Sequence, residues 1–380
     1  MARIVVLSRR NILHPRAGGA SLYVHEIFRR LAENHDVTVV AEGAESSKRV
    51  EEIDGLTYDN AHGSMLRFRL PLSYIRRFAR DADILIDNAD VAIPWFSPLF
   101  SKKPVITIIH QLVREVFYEE LPNILATLGY LSEPAIYRLY SKSLIVAMSK
   151  STADDLLQLG IPRENIRIIG PGCSYPSNQR VPLEMRSQKL IGCVSRLMHY
   201  KGLQFAIEAI GRIQKELPDI KLEIAGSGPY REELEKFASR VGVDSNVIFL
   251  GSVSEQRKLK LYRESRAIVL SSIREGYGLS VIEANSIGTP AVGWNVPGLR
   301  DSIIDNTTGL LANFPNQDHL TRQIYNIMTD DVVWNSISEN AWKWANMHSW
   351  DQSAQAFGEA IKFVLANRLS HQSRKLPFQH

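Results

Sequence analysis

Short apolar runs rich in β-branched residues alternate with helical spacings along the whole chain. In the first half the runs are Ile4–Leu7, Val37–Ala41, Ile84–Ile86, Val105–Ile109, Leu144–Ala147 and Ile166–Ile169. In the second they are Leu190–Ser195, Lys221–Ala225, Val247–Leu250, Ala267–Leu270, Pro290–Gly293 and Gly309–Ala312. Their apolar residues are continuous rather than alternating with polar ones, which predicts strands covered on both faces, as in a parallel sheet. Between them Val24, Ile27, Phe28 and Leu31 recur at i, i+3, i+4, i+7, and Leu203, Ala206, Ile207, Ile210 and Ile213 repeat the stripe. These spacings predict amphipathic helices.

Between the two series lies Gly170-Pro171-Gly172-Cys173-Ser174-Tyr175-Pro176, whose glycines and prolines punctuate the chain. The expected organisation is an α/β fold of two Rossmann-like domains in tandem, residues 1–175 and 176–350. A C-terminal helix follows over 351–380, starting from the helical pattern Trp350–Leu365, with polar residues 367–380 frayed.

Composition narrows the class. The chain has 380 residues, 44% hydrophobic and 23% charged, which excludes collagen, coiled coil and a disordered tail. Two cysteines make neither a disulfide framework nor a metal-ligand spacing. Against 41 acidic residues stand 45 Lys and Arg, a net +4, too small a surplus to indicate nucleic acid as partner. No apolar run reaches the ~18 residues of a membrane span, and the first, Ile4–Leu7, reads as a buried strand and not a signal peptide. The expected location is the cytoplasm, with peripheral membrane attachment open.

In open α/β sheets ligands bind beyond the carboxyl ends of strands, so the loops there carry the candidate chemistry. Gly18 and Gly19 stand before a helix, where glycine lets backbone N–H groups approach an anion; a plain turn needing positive φ is the alternative. Arg196 and Lys201 lie five residues apart on one loop and suit convergence on a diphosphate, the guanidinium by forked bonds and the ammonium as a point charge. A solvated basic loop has the same spelling. Gly226-Ser227-Gly228-Pro229 begins like a dinucleotide fingerprint, but Arg231 replaces the third glycine, so a tight turn beside the ligand is the better reading.

The most informative stretch is Arg274-Glu275-Gly276-Tyr277-Gly278-Leu279-Ser280-Val281-Ile282-Glu283. If both were helical, eight residues would separate the carboxylates of Glu275 and Glu283 by about 12 Å, so they cannot touch and suit different parts of one ligand; a surface Glu near a cap and an ordinary helix Glu are the alternative. The amides of Gly276, Tyr277, Gly278 and Leu279 lie between them at a helix start, where the dipole favours an anion. A sugar–diphosphate–ribose fits: one carboxylate for sugar hydroxyls, amides for phosphate, the other carboxylate for ribose. An Asp-x-Asp metal pair is spelled by Asp81-Ala82-Asp83, yet it precedes its strand and falls at the wrong end of the sheet.

These motifs, in this order, resemble the retaining glycosyltransferases of the GT-B fold, the large group 1 or family 4. Gly18-Gly19-Ala20 resembles the N-terminal glycine loop, Arg196 and Lys201-Gly202 the phosphate clamp, and Glu275 to Glu283 the E-x7-E signature, followed by Gly288-Thr289-Pro290. The family's P-N-G hinge is replaced here by Gly170-Pro171-Gly172-Cys173. The resemblance implies two domains facing each other across a deep cleft. It implies sugar transfer from a UDP- or GDP-linked donor with retention of configuration, and neither metal nor cofactor. The donor would occupy the C-terminal domain and a glycan or lipid-linked acceptor the N-terminal one. Catalytic candidates are His110, Glu275, Arg196 and Lys201; the donor contacts are Gly18, Gly19, Arg196, Lys201, Gly226, Glu275, Gly276, Tyr277, Gly278, Leu279 and Glu283. An epimerase or phosphorylase on the same fold and a non-catalytic nucleotide-sugar-binding protein are the competing readings. A dehydrogenase lacks its fingerprint.

Arg67 to Arg80 contains five arginines and no acid among apolar residues, and Leu121 to Tyr137 is apolar with Pro and Gly breaks. Both suit reversible attachment to an anionic membrane surface, and equally a solvated helix face over a core.

Overall fold

The computed structural model describes residues 1–61, 79–89 and 95–373. The first series of runs forms β1 (Arg3–Arg10), β2 (Asp36–Glu42), β3 (Val50–Ile53), β4 (Leu56–Ala61), β5 (Ile84–Ala89), β6 (Val105–Ile109), β7 (Leu144–Ala147) and β8 (Ile166–Ile168). They make one sheet in the order β3-β4-β2-β1-β5-β6-β7-β8, parallel except for the β3/β4 pair. That antiparallel pair turns at Asp54 and Gly55, both at positive φ, and the apolar-run criterion misses it because Val50-Glu51-Glu52-Ile53 is half polar.

The second series forms β9 (Ser187–Val194), β10 (Lys221–Ala225), β11 (Val247–Gly251), β12 (Ser265–Leu270), β13 (Ala291–Trp294) and β14 (Gly309–Ala312), all parallel, in the order β11-β10-β9-β12-β13-β14. β12 and β13 are buried at every residue, which is why Ala267–Leu270 and Ala291–Trp294 read as unbroken apolar runs. The helix Leu203–Ile213 lays Leu203, Ala206, Ile207, Ile210 and Ile213 into this core.

The chain divides into two units: Met1–Arg114 with Thr127–Pro171 and the C-terminal segment from Trp350, and Glu115–Ala126 with Gly172–Ser349. Residues 115–126, expected in the first domain, therefore group with the second. There Val116 and Phe117 are buried, and Glu115, Glu119 and Glu120 bond to Arg274, His199 and the Tyr200 N–H. The C-terminal helix runs Trp350–Ser373, beyond the expected fraying at 367, and packs Phe357 edge-on against Phe28 of the helix Gly19–Leu31. Among the described residues no helix is long and apolar enough to cross a membrane.

Strand order reverses between β1 and β5 in the first sheet and between β9 and β12 in the second. At such points the following loops diverge to opposite faces and leave room for a ligand.

Candidate functional site

At the second reversal point the β9 and β12 loops carry Arg196, Lys201 and Glu275. The Lys201 ammonium donates to Glu275 Oε1 at 2.5 Å, and the same oxygen accepts from Ser272 Oγ at 2.6 Å. Arg196 Nη2 donates to Tyr200 OH at 2.7 Å, and the Lys201 ammonium lies 4.9 Å from the Tyr200 ring centroid. Tyr200 thus brings the two cations together. Lys201 and Glu275 side chains are 11% and 13% exposed, while Arg196 is exposed. Burial opposes the ammonium's charge, but Glu275 and then Tyr200 outweigh it and hold the Lys201 pKa above its ordinary value. The result is a fixed, charged lysine beside a carboxylate at strand ends.

Backbone packing explains why these loops are rich in glycine. A Cβ on Gly226, at φ +146°, would stand 1.8 Å from Ser195 O, and one on Gly228 2.1 Å from Leu197 O. The β10 loop lies directly on the β9 loop, with Leu197 N–H donating to Ser227 O at 3.0 Å. Gly226 is thus a packing glycine whose direct partner is the Arg196 loop. Gly202, at φ +60°, would place its Cβ 2.2 Å from Ser271 O, and Ile273 N–H donates to Tyr200 O at 3.0 Å. Gly278, at φ +90°, caps the helix Leu279–Asn285, and its carbonyl accepts from the first-turn N–H of Val281 at 2.9 Å. Tyr277 is 9% exposed, with its hydroxyl pKa raised by burial.

Glu283 belongs to a different cluster. Tyr262 OH donates to Oε2 at 2.8 Å, Lys258 approaches Oε1 at 3.3 Å, and Lys258 also pairs with Glu255 at 3.0 Å. Burial raises the Glu283 pKa, with Lys258 and the Tyr262 hydrogen bond pulling the other way. Glu283 is bonded to Tyr262 and Lys258, and Glu275 to Lys201 and Ser272.

In the first unit, Gly18 precedes the helix Gly19–Leu31 in an extended conformation, φ −148°, with open space where a Cβ would be. Positive φ, the structural alternative for this glycine, does not occur here. His110 follows β6 and is 7% exposed. Its Nε2 lies 2.6 Å from Asn88 Oδ1, Nδ1 faces Met148 Sδ at 2.8 Å, and Tyr23 meets the ring edge-on at 5.7 Å. Burial pushes its pKa down to about 3, so the imidazole is neutral at physiological pH and Nε2 is the donor to Asn88. Asn88 in turn donates to Ser8 Oγ at 3.0 Å, at the β1/β5 reversal point. The buried carboxyl of Asp87 beside it, raised to about 6 by burial, accepts from Ser97 and Tyr140.

Sequence reasoning missed Ser272, Tyr200, Lys258, Tyr262, Asn88 and Asp87; Tyr200 and Ser272 are near Lys201 and Glu275 in the sequence, whereas Lys258 and Tyr262 reach Glu283, and Asn88 reaches His110, only through the fold. Asp83 accepts from Arg3 N–H at 2.8 Å and Asp81 faces the Arg3 guanidinium, both at the amino end of β1, away from the candidate loops. Among the described residues no group of three His, Cys, Asp or Glu side chains is gathered as for a metal ion.

Residues 176–344 match the family profile of glycosyl transferases group 1, and residues 17–174 that of glycosyltransferase family 4. The chain is 29% identical over 240 residues to an uncharacterized glycosyltransferase of Methanocaldococcus jannaschii, an alignment covering 60% of this chain and 61% of that relative. It therefore spans under two thirds of that protein's length. It is 24% identical to a GDP-mannose-dependent phosphatidylinositol monomannoside mannosyltransferase of Mycolicibacterium smegmatis, covering 84% of this chain and 88% of the relative. Among solved structures, HepE of Anabaena, in complex with UDP and glucose, superposes with a TM-score of 0.78 at 18% identity over 95% of this chain and 100% of that one. With profiles matching both halves and the fold of that structure, the chain belongs to the GT-B glycosyltransferases of group 1 and family 4.

Proposed function

We propose that the protein transfers a sugar from a nucleoside-diphosphate sugar, UDP- or GDP-linked, to a glycan or lipid-linked acceptor, with retention of configuration and without a metal ion. The observation that carries this reading is the buried Lys201–Glu275 pair with Arg196 beside it on Tyr200. Departure of a nucleoside diphosphate builds negative charge on the β-phosphate, which the buried Lys201 ammonium and the exposed Arg196, held on Tyr200, stabilise with little reorganisation. Glu275, already aligned by Ser272, accepts sugar hydroxyls. Glu283 holds the ribose by exchanging its longer Lys258 contact for a hydroxyl. Gly18 and Gly19 are the proposed phosphate contacts of the glycine loop, and Gly276 to Leu279 offer amides from the turn that leads into the helix Leu279–Asn285.

His110 enters as a neutral hydrogen-bonding group, since a proton on it is disfavoured until about pH 3. The M. smegmatis relative acts with GDP-mannose and HepE was solved with UDP and glucose, which supports both nucleotides as candidates.

The test is a ligand-observed binding screen against a panel of UDP- and GDP-sugars, with and without chelator, followed by the anomeric configuration of the product. Activity lost on chelation sinks the metal-free mechanism, inverted product sinks retention, and a product without a new glycosidic bond favours an epimerase or phosphorylase.

Peripheral membrane attachment is part of the same proposal. Arg67 to Phe78 lie outside the described residues, so the support comes from the helix Asn123–Arg138. Ile124, Leu128 and Leu131 recur on one face with exposures of 78%, 61% and 68%. The helix's one acid between its ends, Glu133, is buried, and Arg138 is exposed at its end. An apolar face rimmed by a cation suits the interface of an anionic bilayer. Sedimentation with phosphatidylglycerol vesicles is expected, and is expected to fail in Leu128→Glu/Leu131→Glu. Equal sedimentation of both proteins, or none of the wild type, refutes attachment through this helix.

A further inference from the structure

We infer that the acidic segment Glu115–Glu120 is a strap that positions the two loops taken above to hold the donor, making Glu115, Glu119 and Glu120 positioning residues for nucleotide binding. The inference rests on that reading of the loops, while its geometry stands by itself. Val116 and Phe117 are 5% and 7% exposed and anchor the short helix Val116–Glu120. Its carboxylates then make three separate connections within the second unit.

Glu115 takes the Arg274 guanidinium in a fork, Oε1 at 2.8 Å from Nε and Oε2 at 3.1 Å from Nη2. Glu119 meets His199 Nδ1 at 2.5 Å, and Glu120 accepts from the Tyr200 N–H at 3.1 Å. Arg274 is the residue before Glu275, and His199 and Tyr200 are the two before Lys201. One strap thus fixes the backbone on both sides of the Lys201–Glu275 pair. A fork between planar groups also sets orientation as well as distance.

The strap has a second consequence. Beside the pair, the Arg274 guanidinium and the His199 imidazole are each matched to a carboxylate of the strap. The strap thereby engages Arg274 and His199, while the two cations that the proposed function addresses to a phosphate stay on other partners, Lys201 on Glu275 and Arg196 on the Tyr200 hydroxyl. A displacement of about 1 Å in either loop would misalign the ammonium and the carboxylate together, and losses of about a hundredfold are known for shifts of that size.

The experiment combines a ligand-free readout with a binding readout. Amide hydrogen exchange of the unliganded Glu115→Ala/Glu119→Ala/Glu120→Ala protein is expected to rise at least about fivefold at residues 196–201 and 272–278, leaving β9 and β12 unchanged. Its UDP or GDP Kd and donor KM are expected to rise about tenfold, and kcat/KM to fall by more than KM rises, because the Lys201 ammonium loses its alignment as well. Glu120→Gln, which keeps an acceptor for the Tyr200 N–H, should bind like wild type. The exchange Glu115→Arg/Arg274→Glu should restore binding that Glu115→Arg alone loses. Unchanged exchange at both loops overturns the strap, as does a fall in kcat with KM intact or a charge exchange that rescues nothing. If wild type binds neither UDP nor GDP, the donor reading fails, and the exchange data still decide the strap.

Discussion

Replacing Lys201 by Ala, Glu275 by Gln, and both together tests the pair on which the site turns. At 2.5 Å and an effective dielectric of ~20, the attraction between the charges is of order 6 kcal/mol, most of it offset by the cost of taking both out of water. The pair's net contribution to folding is therefore small, whereas removing one partner strands the other in a site 11–13% exposed, at about 3–5 kcal/mol. Lys201→Ala leaves Glu275 only its Ser272 hydrogen bond, and Glu275→Gln leaves the ammonium above the Tyr200 ring. The double variant should recover part of the loss, with a coupling energy of about 1–3 kcal/mol. Urea denaturation of the four proteins measures the cycle. Donor turnover, measured in parallel, should fall at least about tenfold for Lys201→Ala and for Glu275→Ala, about 1.4 kcal/mol of barrier or more. Additive losses under ~0.5 kcal/mol would show a pair as weak as a solvated one, and near-wild-type turnover in both variants would falsify the assignment of these residues to the donor.

Gly226→Ala, whose Cβ falls 1.8 Å from Ser195 O at φ +146°, is expected to destabilise the second unit by at least about 3 kcal/mol in thermal unfolding. Gly18→Ala, with open space and extended backbone, should change stability by under ~0.5 kcal/mol while raising donor KM; an unchanged KM removes Gly18 from the site. Because His110 is pushed down to about 3, unfolding takes up a proton between there and its unfolded value of ~6.5, so this group's share of stability is complete above pH 6.5 and is lost as pH falls through that window. Asp87, raised to about 6, acts with the opposite sign: its ionisation costs the folded state as pH rises from ~4 to 6. His110→Asn should therefore make the first unit lose stability with rising pH across that range by up to ~1.4 kcal/mol per unit, and an unchanged pH profile counts against a buried neutral imidazole. Glu283→Gln should erase any preference for ribose over 2′-deoxyribose donors, and wild type showing no such preference argues against a ribose role for Glu283.

The chain itself determined the fold class, because strands buried on both faces must be written as unbroken apolar runs: β6, β7, β10 and β14 fall where those runs lie. It determined the candidate loops too, since Glu275, Lys201 and Gly226 sit in short segments where glycine and charge are adjacent in sequence. The β3/β4 hairpin escaped because its strands are short and half polar, leaving Asp54-Gly55 as the one local signal. Contacts between residues about 75 or 160 positions apart leave no local pattern. Lys201 met Glu275, 74 positions away, only when β9 and β12 were paired, and Glu115, Glu119 and Glu120 joined the second unit only when the segment 115–126 was placed against their loops. Tertiary packing also decided protonation: the same imidazole that titrates near neutrality in an open chain is held neutral at His110 by burial, a property that no neighbouring residue in the sequence specifies.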